Sequence, residues 1–170
     1  MANTSLGDSQ MRDQEIPNDW KGQCFGCSPV NSHGLGLRFY LSENGCYTKF
    51  SIPDYLCGIL ALLLDEVCQW AMIARLGKMG MSREISVRFL KAVPTNTEIV
   101  VEARIHAQDE KDTVLRSTIH SKDNDLLAAA ESRWIMADSS IIAKVSKVSE
   151  SQIKEVLAKY PVEALLQSSS

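Results

Sequence analysis

Apolar and polar positions along this chain follow two periods, and the switch between them outlines the molecule. Leu35, Leu37, Phe39 and Leu41 alternate with Gly36, Arg38 and Tyr40, the two-residue period of a strand. The Glu43-Asn44-Gly45 run predicts a hairpin, with a return strand over Cys46 to Ile52 that Pro53 and Asp54 stop. From Gly58 to Leu76 neither Gly nor Pro interrupts a stretch rich in Ala, Leu and Met, and Gly77 and Gly80 close it. That predicts a helix of about five turns. Strand alternation then returns: Ile85, Val87 and Phe89 oppose Glu84, Ser86 and Arg88, and Ile99, Val101, Ala103, Ile105 and Ala107 oppose Glu98, Glu102, Arg104 and His106. Short polar turns at 109–112 and 122–125 lead into strands over Thr113 to Ser121 and Leu126 to Ala137, so these neighbours are antiparallel. Ser149 and Gln152 stand at capping-box spacing, ahead of an apolar stripe of Ile153, Val156, Leu157 and Tyr160 that Pro161 ends.

The order is thus β-β-α-β-β-β-β followed by a short amphipathic helix. The long helix is apolar on nearly every side through Leu64, which predicts an α+β architecture with an antiparallel sheet of about six strands wrapped around it. Residues 1–20 are polar and aperiodic and read as a flexible leader. Residues 21–138 form the domain, and 139–170 hold a linker, the amphipathic helix and a tail.

Composition narrows the function. With 170 residues, 45% of them hydrophobic, the chain is long enough for one domain with a sizeable core. A net charge of −3 and the lack of a long basic run argue against a nucleic-acid partner. The longest apolar run, Ile59 to Leu64, is too short to span a membrane, and the first residues lack the pattern of a secretory signal. Five cysteines without an export signal predict free thiols in the cytoplasm.

The helix places two carboxylates, Asp65 and Glu66, directly after its greasiest stretch. Side chains one residue apart on a helix diverge by about 100°, so the pair does not share one pocket. Asp65 neighbours Ala61, Leu62, Cys68, Gln69 and Met72, whereas Glu66 neighbours Leu62, Leu63, Gln69, Trp70 and Ile73. Among such groups a carboxylate loses hydration, and its pKa rises towards the range useful to a base.

Three stretches, "CFGCSPVNSHGLGLRF" (24–39), "CGILALLLDEVCQWA" (57–71) and "SREISVRFLKAVPTNTEIVVEARI" (82–105), together resemble the hotdog-fold thioesterases, in particular the small acyl-CoA thioesterases of the phenylacetate-pathway type. The resemblance covers roughly residues 24 to 137. It implies a hotdog fold and acyl-CoA thioester hydrolysis, with coenzyme A arriving as part of the substrate and no separate cofactor. The family usually opens its central helix with His-Gly-Gly and carries an acid seven positions past the second Gly. Here Leu56 stands at the His, Cys57 at the first Gly, and Gly58 and Asp65 keep the remaining positions. By the resemblance the Gly58 N–H polarises the thioester carbonyl, Asp65 acts as general base or nucleophile, and Ser82 aligns with a hydroxyl that assists; Glu66 is a further candidate. Seven helical residues separate Gly58 from Asp65 by about 10 Å, so a carbonyl that meets both requires two subunits, in a dimer or a tetramer.

Other readings were weighed on their residues. Arg88, Lys91 and Arg104 are candidates for the phosphates of coenzyme A. Cys24 and Cys27 with His33 suggest a metal or redox motif, but no second cysteine pair follows and the motif precedes a strand, so no metal is expected. Cys57 and Cys68 read as small core residues. A dehydratase would need a helix-borne His, and His33, His106 and His120 all lie elsewhere. The alternative from another class is a non-catalytic acyl-CoA- or lipid-binding hotdog protein, supported by Leu56 at the His position.

Overall fold

A computed structural model describes residues 14–53 and 58–160. Within them the chain builds one antiparallel sheet from β1 (Tyr40–Ser42), β2 (Gly45–Ser51), β3 (Gly80–Phe89), β4 (Glu98–Gln108), β5 (Asp112–Ser121) and β6 (Leu126–Met136). The spatial order is β1-β2-β4-β5-β6-β3. The long helix α1 (Ile59–Leu76) lies in the sheet's concave face, and two short helices follow, α2 (Ser139–Ser146) and α3 (Glu150–Leu157). The α+β architecture and the strand order along the sequence are those the alternation predicts. Among the described residues no helix is long and apolar enough to cross a membrane.

Alternation places the core. Ile99, Val101 and Ala103 of β4, Leu115 and Ile119 of β5, and Ala128, Ala130 and Trp134 of β6 are all buried towards α1. From the helix, Leu63, Leu64, Val67, Cys68, Ala71 and Met72 meet them. Trp70 stacks on Phe39, with ring centroids 4.9 Å apart. From the last turn of α1, Arg75 reaches carbonyls of the β1–β2 hairpin, donating from Nε to Gly45 O at 3.3 Å. The apolar composition of α1 predicts a helix enclosed on every side, and here the structure differs. Gly58 is exposed and Ala61, Leu62 and Asp65 are only half-buried, and these positions form one stripe at three- and four-residue spacing.

Four segments depart from the sequence reading. The strand expected over 35–41 shortens to Tyr40–Ser42, because Gly36 takes a left-handed φ of 58°. Leu35 and Leu37 instead donate to Phe25 O and Gly26 O, tying this stretch to the cysteine turn. The leader is docked from Gln14 onward: Ile16 N donates to Phe39 O, and Ile16 and Trp20 enter the core. The linker after β6 contains the unforeseen α2. Helix α3 carries the full Ser149–Gln152 capping box and packs on its own chain, where Tyr160 donates to Pro17 O and Lys159 pairs with Asp19.

Strand β3 is the fourth departure. It forms, but neither face is buried in the single chain. Ile85 and Phe89 are exposed, Phe89 by 63%, together with Met81, Leu90 and Ile135 nearby. It is an edge strand with a bulge between Ser82 and Glu84.

Leu63 is fully buried between α1 and the sheet. Leu63→Ala is expected to cost about 2–5 kcal/mol, read as a lowered urea midpoint at unchanged m-value. The same change at half-buried Leu62 should cost clearly less.

Candidate functional site

Helix α1 presents its two acids to two different surroundings. Asp65 lies on the half-covered stripe, with Ser82 of the β3 bulge near enough to favour its charged form. A bulge re-aims the side chains beside it, and Ser82 stands at this one. Burial raises the Asp65 pKa above its ordinary value; the nearby Ser82 side chain opposes the rise and the Cys24 charge adds to it. At the start of the same helix, Gly58 occupies the N-cap with φ 77°, a left-handed conformation suited to glycine, and brings no side chain of its own to cap the first turn. Main-chain N–H groups at a helix start suit an electron-rich oxygen.

Glu66 faces the cysteine turn. Its Oε1 and Cys24 Sγ lie 2.9 Å apart and share a hydrogen bond. Cys27 N donates to Cys24 Sγ at 3.4 Å. Burial, with the Cys24 charge second, pushes Glu66 up to about 8. The neighbouring Cys27 side chain draws Cys24 down to about 5, against the opposing effect of burial. Cys27 is pushed far upward, first by Cys24 and then by burial. A cavity of about 150 Å³ adjoins these three residues, lined by Trp20, Gln69, Trp70, Ile73, Met79 and Ile142 besides them.

The structure thus brings Asp65 and Ser82 together and separates Glu66 from them. Gly58 is on the same stripe as Asp65 but most of two turns away. Leu56 and Cys57 lie outside the described residues. Cys68 is fully buried beside Ser132, whose hydroxyl donates to its sulfur at 3.5 Å, and burial pushes its thiol up to about 11.

The three basic candidates are not gathered. Lys91 pairs with Asp125 at 2.7 Å and lines a cavity of about 450 Å³ with Lys122, Asn96 and Ser121. Arg104 pairs with Glu102 at 3.1 Å and sits six residues along β4 from Glu98 of that cavity. That is about 20 Å of strand. Arg88 is exposed on β3 opposite Ala129. The sequence reading missed the meeting of Glu66 with the cysteines. Its only linear signal is Gly26 inside the cysteine pair, and that does not disclose a partner from a distant helix.

No protein-family model matches the chain, and no curated protein matches it. Solved structures do match in fold. A thioesterase superfamily protein superposes with a TM-score of 0.56 at 21% identity, over 63% of this chain and 57% of that one. A hypothetical thioesterase from Streptococcus pneumoniae TIGR4, solved with coenzyme A, gives 0.55 at 16% identity, over 59% and 88%. The E. coli PaaI protein from the phenylacetic acid degradation operon gives 0.55 at 15% identity, over 61% and 80%. At these identities the shared property is architecture: the chain has the hotdog fold of the thioesterase superfamily.

Proposed function

We propose that the protein hydrolyses acyl-CoA thioesters at a site shared by two copies of the chain, with Asp65 as general base or nucleophile. The observation that carries this reading is the setting of Asp65: half-buried on the partly covered stripe of α1, beside Ser82 of the edge strand β3. The coenzyme A held by the Streptococcus pneumoniae neighbour of the same fold supports the substrate class.

The chemistry asks for little else. A thiolate leaves readily, so the site needs an activated water (or the carboxylate itself) and donors for the developing oxyanion. The start of α1 at Gly58 supplies such donors, but about 10 Å from Asp65 of the same chain. The donors that face Asp65 therefore come from a second copy. The open edge of β3 and its exposed Ile85 and Phe89 are where that copy would add its own strand, completing the site and covering the apolar row. Glu66, turned to the cysteines, takes no part in this scheme. Lys91, beside the larger cavity, is the better placed of the three cations for a phosphate.

Thiol release from a panel of acyl-CoAs tests the reading, with a protein-only blank because the chain carries five cysteines. Asp65→Asn should lower kcat about 10²- to 10⁴-fold with the fold intact. Binding of acyl-CoA with no turnover by the unaltered protein would instead favour the non-catalytic binder.

Phe89→Glu places a charge in the apolar row of the edge strand. Sedimentation should show a shift from dimer or tetramer to monomer, with hydrolysis lost in step. A fully active monomer would remove the shared site.

A further inference from the structure

The cysteine turn and Glu66 lie outside the thioester chemistry, and their geometry has a purpose of its own to account for. Cys24 Sγ, Cys27 Sγ and a Glu66 carboxylate oxygen all lie within 4.8 Å of one another. The first two come from a four-residue turn ahead of β1, the third from the middle of α1, 42 positions away from Cys24. Bringing a carboxyl group from a long helix against two thiols costs hydration, and a closed pair of cysteines would not need it.

Gly26 makes the approach possible. A Cβ at Gly26 would lie 2.5 Å from Glu66 Cδ and 2.7 Å from its Oε1, so the carboxyl group fills the space that any other residue's side chain would take. The turn is fixed from behind as well: Cys27 N donates to Cys24 Sγ at 3.4 Å, and Asn18 Nδ2 donates to Cys27 O at 2.6 Å. Main-chain N–H groups aimed at sulfur are the support a metal-bound thiolate receives from its surroundings.

From this geometry we infer that Cys24, Cys27 and Glu66 form a binding site for one zinc-like divalent cation. Zinc bonds to sulfur at about 2.3 Å and to carboxylate oxygen at about 2.0–2.2 Å place tetrahedral ligands about 3.5–3.8 Å apart. The Cys24–Glu66 pair, now 2.9 Å apart, would open by less than 1 Å, and no pair of the trio, all within 4.8 Å, would have to close by more than about 1.3 Å. Two thiolates and one carboxylate suit zinc better than a cuprous ion, which prefers sulfur alone, or than magnesium and calcium, which prefer oxygen alone. Three protein ligands leave a fourth position, and it opens on the cavity of about 150 Å³. Gln69 lines that cavity, and its buried Nε2 has no hydrogen-bond partner among the described residues. With its amide turned over, it offers an oxygen to the ion or to an ion-bound water. The absence of a second cysteine pair, which counts against a metal in the linear sequence, loses its force once the helix supplies the third ligand.

The test uses the full chain, reduced and stripped of metal, titrated with zinc by calorimetry and with cobalt(II) by absorbance. One ion should bind per chain. Cobalt should give sulfur-to-metal charge-transfer bands and the intense visible bands of a four-coordinate site. Cys24→Ser and Cys27→Ser should each abolish the charge-transfer signal. Glu66→Gln, and Gly26→Ala with every ligand retained, should each weaken zinc binding by about tenfold or more. Because these variants disturb a packed turn, the unaltered chain provides an independent readout: zinc should protect Cys24 and Cys27 from alkylation, as mapped by mass spectrometry. No zinc binding at micromolar concentration overturns the proposal. So does a zinc affinity unchanged in both Glu66→Gln and Gly26→Ala, or alkylation of the two cysteines at the same rate with and without zinc.

Discussion

An α-helix turns by about 100° per residue, and this rotation governs what the protein can do with its two adjacent acids. Asp65 and Glu66 are consecutive, yet one lies near a strand hydroxyl and the other meets a pair of thiols. Helix α1 can serve both settings only because it is held from two directions. The sheet fixes one side through Leu63, Val67 and Ala71, and the leader with α2 covers another through Trp20 and Ile142. A stripe from Gly58 to Asp65 is left with partial cover. The pattern of burial around one rod therefore sorts the chemistry: core, cysteine turn and open stripe each take a separate arc.

Much of this fold was readable in the chain. Strands β4, β5 and β6 have long ladders on both sides and one buried face, so tertiary structure agrees with local alternation and the pattern survives in the sequence. The failures have a common cause, competition for backbone partners. Leu35 and Leu37 look like strand residues because they are buried, but their N–H groups bond the cysteine turn. The leader looks like loose chain because it is polar on average, although Ile16 and Trp20 anchor it. Helix α2 has a single buried residue, Ile142, too little apolar content to leave a stripe.

The functional residues divide in the same way. Asp65 and Gly58 could be singled out because their spacing along one helix is a linear property. Ser82 could be placed nearby only through resemblance, since the bulge where it stands depends on pairing with Trp134 and Arg133 of a strand some fifty residues on. The meeting of Cys24, Cys27 and Glu66 left only Gly26 as a linear trace, and that does not point to Glu66. Charge was equally opaque: Lys91 and Arg104 look interchangeable on paper, yet they occupy opposite ends of the sheet.

The contact between Tyr160 and Pro17 joins positions 143 apart in sequence. A ribosome delivers the leader first and α3 last, so the cysteine turn can find its strands early but not the helix that clamps it. The segment around Trp20 is thus anchored only once a helix well over a hundred residues further along the chain has been made.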